Sequence, residues 1–394
     1  MTKRTLTPLA VLVLAAAAAC GDQSSMPTAA HDDGAAPLLS AAPGRGVDGS
    51  YIVVLNDGAD PRSVAAVAGV SPRYVYTAAL NGFAAELNAG QLNALQHNRS
   101  VEYIEANATV QASVIQTGAT WGIDRIDQRA LPLSGTFSYT GTGLGVRAYV
   151  IDTGIRFSHS EFAGRAVSGY DAVDGGTADD CNGHGTHVSG TVGGTLYGVA
   201  KAATLVGVRV LDCNGSGTNA GVIAGIDWVA ANHTKPAVAN MSLGGGASTA
   251  VDDAVNRLIN TGVTVVVAAG NGNFFGIAQD ACNYSPARVA NAITIGATTS
   301  SDAKASYSNY GNCVDLFAPG SSIKSSWYNG DTATNTISGT SMATPHVVGV
   351  AALYLQANPG ATPQQVRDAL YNGSTKSVVT SAKSVNNHLL FTAF

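Results

Sequence analysis

Three glycine-rich strings hold the residues best suited to chemistry. They are Val150-Ile151-Asp152-Thr153-Gly154, Asn182-Gly183-His184-Gly185-Thr186-His187 and Ile337-Ser338-Gly339-Thr340-Ser341-Met342-Ala343-Thr344-Pro345. Along the chain they offer an Asp, a His and a Ser. A serine hydroxyl is a poor nucleophile until an adjacent base takes its proton, and that base needs a third group to fix its tautomer. The three together are the inventory for hydrolysing a peptide bond through an acyl-enzyme, and the glycines let other backbone come close. Each residue alone also has a plainer reading. Asp152 suits a turn or helix cap, His184 a structural place in a glycine-rich turn with His187 as its rival, and Ser341 a helix N-cap. The His184–His187 spacing, with no nearby Glu or Cys, is not a zinc pattern.

Positioning these residues requires a scaffold, and apolar runs supply it. Val146 to Ile151, Thr204 to Leu211, Val238 to Leu243 and Val263 to Ala268 read as strands. Between them Asn219 to Asn232 and Thr249 to Asn260 have helical spacing of apolar residues. Continuous apolar strands alternating with helices predict a parallel sheet covered on both faces. Asp152 then falls at the carboxyl end of a strand, where open α/β sheets place their sites. His184 opens a helix-compatible run to Val192. Ser341 precedes a long helical pattern, Met342 to Gln356, with Pro345 expected in its first turn. A nucleophile there gains from the helix dipole and the free N–H groups.

The front of the chain has a different character. Lys3 and Arg4 followed by the apolar run Leu9 to Ala19 read as an export signal over 1–20, too short for a good membrane span. Ala17-Ala18-Ala19-Cys20-Gly21 resembles a bacterial lipoprotein cleavage box, in which Cys20 would be lipidated; ordinary cleavage beside Cys20 is the alternative. Residues 21–47, rich in Ala, Pro, Gly, Ser and Asp, predict a flexible linker. Tyr51 to Leu55, Val64 to Val70, Asn81 to Leu87, Gln91 to His97 and Val101 to Glu105 then read as strand, helix, strand, helix and strand, a small α+β unit.

Bulk composition sets the limits. Of 394 residues 45% are hydrophobic and 12% charged, which supports a sizeable core. A net charge of −5 without a clustered Lys/Arg face argues against nucleic acid as a partner. Cys181, Cys213, Cys282 and Cys313 form an even set in an exported chain, which suggests two disulfides and leaves three pairings open.

Two further strings, Asn240-Met241-Ser242-Leu243-Gly244-Gly245-Gly246 and Ala268-Ala269-Gly270-Asn271, complete a pattern. From about Trp121 to the C-terminus the chain resembles the subtilisin-like serine proteases (peptidase family S8), and more narrowly the proteinase K branch; the Asp, His, Ser order is the subtilisin one. Residues 50–111 resemble the inhibitory propeptide that precedes such enzymes. The expected partition is a signal peptide over 1–20, a linker over 21–47, a propeptide-like α+β domain over 48–112 and a peptidase domain over 113–394. The resemblance implies an α/β fold of three layers around a mostly parallel central sheet.

It also implies roles. Ser341 would be the nucleophile, His184 the general base, Asp152 its orienting partner, and Asn271 with the Ser341 N–H the oxyanion donors. Ser242, Leu243 and Gly244, opposite Gly215, Ser216 and Gly217, would pair with substrate backbone. Ala268, Ala269 and Gly270 would line the pocket for the residue before the cut, and no acid in those strings favours Lys or Arg there. Cys181–Cys213 and Cys282–Cys313 resemble the disulfides of aqualysin-type members. Calcium is implied at Asp315 with the carbonyls of Ala290 and Ala292, and at a second site formed by Asp124, Asp127 and Gln128. The implied partners are protein and peptide substrates and the chain's own propeptide, acting as chaperone and inhibitor of a monomer. Membrane contact is expected only through a lipidated Cys20. Two other readings remain beside the exported protease: a catalytically silent peptide-binding protein, and a lipid-anchored protein of structural role. An intact Asp, His, Ser and Asn set weighs against the former.

Overall fold

A computed structural model describes residues 35–41, 46–110, 113–273 and 275–392. The expected export signal and Cys20 lie outside the described residues. The chain divides into two units, the first holding residues 35–41 and 46–108 and the second the described residues from 109 onward.

In the first unit, strands β1 (Leu38–Leu39), β2 (Gly46–Leu55), β3 (Tyr74–Tyr76), β4 (Gly82–Glu86) and β5 (Val101–Ala108) form a sheet of order β1-β5-β2-β4-β3. Helix α1 (Pro61–Val67) starts at a proline, whose missing N–H costs nothing there, and Asp60 caps it by accepting from the Ser63 N–H at 2.7 Å. Helix α2 (Ala89–Gln96) opens with a capping box of Asn88 and Gln91. Val53, Leu55, Phe83, Leu95 and Ile104 form the core. The linker expected over 21–47 needs correction at its C-terminal end. Leu38–Leu39 pairs in parallel with Ile104 and Glu105, Ala36 is buried, and β2 already begins at Gly46. An open strand edge offers unpaired backbone groups to any passing segment, so pairing there is indifferent to composition.

The second unit is built on nine strands: β6 (Arg147–Asp152), β7 (Ala166–Asp171), β8 (Thr204–Arg209), β9 (Ala237–Met241), β10 (Thr264–Ala268), β11 (Ile293–Thr298), β12 (Leu316–Pro319), β13 (Thr375–Lys376) and β14 (His388–Leu389). Their order is β13-β14-β12-β11-β10-β9-β6-β8-β7. All pairs are parallel except β13 with β14. Six helices accompany the sheet: α3 (Trp121–Ile126), α4 (His184–Gly193), α5 (Asn219–Asn232), α6 (Thr249–Asn260), α7 (Thr340–Ala357) and α8 (Pro363–Gly373).

Strand alternation sorts these helices into layers. Ala148 and Val150 of β6 face a core shared with Val188 and Val192 of α4 and with Val347, Val350 and Ala351 of α7. Tyr149 and Ile151 of the same strand face Val222, Ile226 and Val229 of α5 and Val251, Val255 and Leu258 of α6. Period-two side-chain direction thus makes one strand serve two cores, and three layers result. Each fully buried aliphatic side chain contributes roughly 1.5–3 kcal/mol. Helix α6 is apolar on one face only, whereas α7 is buried from Met342 to Leu355 on every side. Close packing around α7 and around α4 depends on small residues. A Cβ on Gly349 would lie 2.5 Å from the Val199 Cβ, and one on Gly190 of α4 would lie 2.2 Å from the Ser326 Oγ.

Disulfides join Cys181 to Cys213 and Cys282 to Cys313, one of the three pairings the count allowed. The buried Arg125 of α3 forms a two-pronged ion pair with Asp302, Nε to Oδ1 at 2.7 Å and Nη2 to Oδ2 at 2.9 Å. Removing either partner of such a pair costs about 3–5 kcal/mol. Among the described residues no helix is long and apolar enough to cross a membrane.

Candidate active site

Asp152 is the last residue of β6, fully buried, with the sheet ending beneath it. Its Oδ1 accepts from the Thr153 N–H at 2.7 Å and from the His184 Nδ1 at 2.8 Å. The second oxygen, Oδ2, is buried without a protein partner. A ring nitrogen that meets a carboxylate must carry the proton, which leaves His184 Nε2 as the basic one. His184 opens α4 behind Gly183, whose φ of 112° is a left-handed conformation suited to glycine. Burial alone would push the His184 imidazole down. The Asp152 charge and hydrogen bond, helped by Asp180, more than offset that and hold it above its ordinary value.

The rival histidine has a different place. His187 is buried one turn on, its Nε2 bound to the Ile323 carbonyl at 3.0 Å. Burial pushes it down to about 4, so it stays neutral.

Asp180, which the motifs gave no reason to single out, joins the Asp and His strings. Its Oδ1 accepts from the Thr153 hydroxyl at 2.9 Å and from the N–H groups of Asn182 at 2.9 Å and Gly183 at 2.8 Å. Its Oδ2 accepts from the Thr186 N–H at 2.9 Å and hydroxyl at 2.6 Å. Thr153 in turn accepts from the Gly185 N–H at 2.9 Å. A Cβ on Gly185 would come within 2.2 Å of the Gly154 carbonyl oxygen, so the two strings meet backbone to backbone.

Ser341 is the second residue of α7. The expectation that Pro345 lies in the first turn is corrected: α7 begins at Thr340, so Pro345 is its sixth residue. A proline there cannot donate to the carbonyl four residues back, which is that of Ser341. Ser242 supplies the missing donor, its Oγ giving a hydrogen bond to the Ser341 carbonyl at 2.8 Å while accepting from the Asn240 Nδ2 at 2.9 Å. The Ser341 hydroxyl donates to the Ser242 carbonyl at 3.0 Å.

Asn271 follows β10. Its Oδ1 accepts from the Thr340 N–H at 2.8 Å and the Thr340 hydroxyl at 3.0 Å. A backbone N–H requires an oxygen, so the amide orientation is settled and Nδ2 is the end left toward Gly339, 3.5 Å from where a Cβ on that glycine would sit. Asn309, also unmarked in the sequence, clamps this segment. Its Nδ2 donates to the Ala269 carbonyl at 2.9 Å and its Oδ1 accepts from the Gly272 N–H at 3.0 Å.

Around these groups lies a cleft of about 510 Å³ lined by His184, by Gly215, Ser216 and Gly217, and by Ser242, Leu243 and Gly244. A second hollow of about 240 Å³ is lined by Ala268, Ala269, Gly270, Asn271 and Ser341 with Tyr284 and Ala287, and no acidic side chain is among its walls. Leu243 and Gly244 line both.

The two sets expected to hold calcium differ. Among the described residues no group of three His, Cys, Asp or Glu could hold a metal, so an ion would need carbonyl and amide oxygens as well. In the Asp124, Asp127 and Gln128 set one oxygen stays open to a cation: Asp127 Oδ1 is buried with no protein partner, and burial, with the Asp124 charge, raises the Asp127 carboxyl. The others already accept from the chain, Asp124 from the Ser134 N–H and hydroxyl and the Gly135 N–H, and Gln128 Oε1 from the Ser134 N–H. The Asp315 set does not fit a metal ion. The Arg367 guanidinium donates from Nη1 to the Ala290 carbonyl and, at 3.5 Å, to the Ala292 carbonyl, and from Nη2 to Asp315 Oδ1. The other Asp315 oxygen accepts from the Thr294 N–H at 2.8 Å.

Comparison with known proteins agrees with this geometry. The Subtilase family matches residues 143–389 and Peptidase inhibitor I9 matches residues 50–113. The chain is 56% identical to an extracellular serine proteinase of Thermus sp. (strain Rt41A), covering 98% of each. It is also 56% identical to the alkaline serine exoprotease A of Vibrio alginolyticus, over 80% of this chain and 59% of that one. Among solved structures a cold adapted subtilisin-like serine proteinase superposes with a TM-score of 0.68 at 57% identity, covering 71% of this chain and 100% of that one. The nine-stranded, mostly parallel unit with its Asp, His and Ser strings is therefore a subtilisin-like fold, and the chain belongs to the subtilase family of serine peptidases, with a peptidase inhibitor I9 domain ahead of the peptidase domain.

Proposed function

We propose that the chain is an exported endopeptidase of broad specificity, made as a zymogen and working through an acyl-enzyme on Ser341. The observation that carries this reading is the Asp152–His184 hydrogen bond, which fixes His184 with Nε2 free, in a cleft whose walls run on to Ser341 and Asn271. In the resting state the Ser341 hydroxyl is turned to the Ser242 carbonyl. Substrate binding requires it to rotate toward His184, which takes its proton as the oxygen attacks the scissile carbonyl. The new oxyanion meets the Asn271 Nδ2 and the Ser341 N–H, an unpaired donor of the α7 first turn. His184 then passes its proton to the leaving amine. A water molecule, deprotonated by His184, releases the acyl group by the same steps in reverse.

Substrate backbone would lie as an added strand between Ser242, Leu243, Gly244 and Gly215, Ser216, Gly217, with the side chain before the cut in the hollow by Ala268, Ala269 and Gly270. Its lining without acids supports an apolar or aromatic preference. Asp124, Asp127 and Gln128 are the residues that would hold calcium, which would supply structural cross-linking there and no catalytic step. The inhibitor I9 domain supports self-inhibition before processing, and the extracellular relative supports export. A fluorophosphonate probe tests the reading. It should label the processed enzyme on Ser341, and Ser341→Ala should abolish both labelling and peptide hydrolysis. Hydrolysis that persists in Ser341→Ala would refute it, as would a peptide-library profile dominated by Arg for the specificity.

A further inference from the structure

Three oxygens converge beside α8: the carbonyls of Ala290 and Ala292 and Oδ1 of Asp315. Acceptors gathered at one point repel each other unless a cation sits among them. Two kinds of cation satisfy such a set, a hard metal ion at 2.3–2.6 Å or a donor-bearing organic cation at hydrogen-bond distance. Here the chain brings its own. Arg367 lies next to Val366 on α8, and Val366 and Leu370 are buried. That burial fixes the helix register, and the Thr362–Gln365 capping box fixes where the helix starts. Arg367 is thus aimed at the three oxygens by the packing of its helix. A guanidinium has five donors in a planar fork, enough to serve two carbonyls and a carboxylate together, and it never loses its charge. Metal and guanidinium exclude each other, because both would need the same oxygen lone pairs and both are positive.

We propose that Arg367 is a built-in replacement for a metal ion at this site, so that the native chain binds no calcium between Ala290, Ala292 and Asp315. The stability of this corner of the fold is then indifferent to calcium supply. Opening the site by removing Arg367 would turn it into a calcium site.

The test uses the full chain carrying Ser341→Ala, so that it cannot digest itself. Bound calcium per chain is measured by equilibrium dialysis and atomic absorption with and without Arg367→Ala. Removing the arginine should add one calcium per chain, and Tm should depend more steeply on calcium than in the parent. Only the difference between the two chains is read, so occupancy of the Asp124 site does not affect the outcome. Equal calcium counts would overturn the proposal. A second arm holds if Arg367→Ala fails to fold. Asp315→Asn in the parent should leave the calcium count unchanged, and loss of one ion would overturn the proposal, since it would mean that Asp315 ligates calcium with Arg367 present.

Discussion

Replacing Asp180 by Asn should slow catalysis and move its pH dependence, although Asp180 does none of the chemistry. The carboxylate accepts five hydrogen bonds, three at Oδ1 and two at Oδ2. An amide keeps one oxygen. Set at the Oδ1 position it preserves the bonds from Thr153, Asn182 and Gly183, and its NH₂ then faces the Thr186 N–H. The Thr186 hydroxyl can reverse and accept, but the N–H loses its acceptor at a cost of about 1–3 kcal/mol. The three surviving bonds lose their charge, which weakens each by roughly a half. At about 1 kcal/mol lost from each of the three, the total is about 4–6 kcal/mol at the junction between the Asp152 and His184 strings. If about half of that strain falls on the transition state, kcat/KM drops about 10²-fold at 1.36 kcal/mol per tenfold. The electrostatic effect has a definite sign. Asp180 helps hold the His184 imidazole above its ordinary value, and His184 must be neutral to act as base. Loss of that charge lowers the imidazole and shifts the acid limb of the kcat/KM profile to lower pH. The assay is a pH–rate profile on a chromogenic peptide with an apolar residue before the cleaved bond. An acid limb identical to the parent's would refute the electrostatic link, even with Tm lowered, because a purely structural loss would not move it.

Asn271→Ala should lower kcat by about 10²–10³ with little change in KM, the range known for the corresponding donor in subtilisin; an unchanged kcat would remove Asn271 from the oxyanion role. Buried His187 and His346 are both held down at about 4, so the unfolded chain takes up their protons first as pH falls. Stability present above about pH 6.5 should therefore be lost toward pH 4, by about 2.7 kcal/mol per pH unit for the pair, and His346→Gln should halve that slope in denaturant melts. Replacing Cys181 and Cys213 by Ser opens a loop with a sequence separation of 32 residues and should cost about 3–4 kcal/mol on loop-closure grounds, read as a lower denaturation midpoint with a somewhat larger m, because the opened chain unfolds to a more expanded state.

The sequence reading went furthest where one residue type serves one physical purpose. Val263 to Ala268 could be read as a buried strand because a parallel strand covered on both faces is apolar throughout, and β10 spans Thr264–Ala268. Asp152, His184 and Ser341 stood out because glycines flank them where backbone must come close. Asp180, Asn309 and Arg367 did not stand out, and the reason is common to all three. Their partners are largely backbone N–H and C=O groups, which every residue carries, so no pattern of side chains announces them. Pro345 misled for a related reason. Proline usually marks a helix start, but here the carbonyl it leaves free is taken by Ser242 from another element, which no local pattern contains. The short strand Leu38–Leu39 was hidden in a segment whose composition suits a linker, because an edge pairing draws on backbone alone.

The glycine contacts of α4 and α7 have a consequence for how this protein can vary. Gly349 lies about two turns along α7 from Ser341. Methyl groups there or at Gly190 would meet Val199 and Ser326 at 2.5 and 2.2 Å, well inside contact distance. Alanine, ordinarily the mildest of replacements, becomes a wedge that pushes the nucleophile's helix off Val199 and the Val192 carbonyl of α4, or the base's helix off Ser325 and Ser326. Inactivating changes will therefore map to buried positions that touch neither substrate nor triad. Tolerated change will concentrate at exposed positions, such as the outer faces of α5 and α6 and the surface loops, where side chains point to water. The precision of the site is stored in the absence of atoms, and selection must guard that absence as closely as the residues that react.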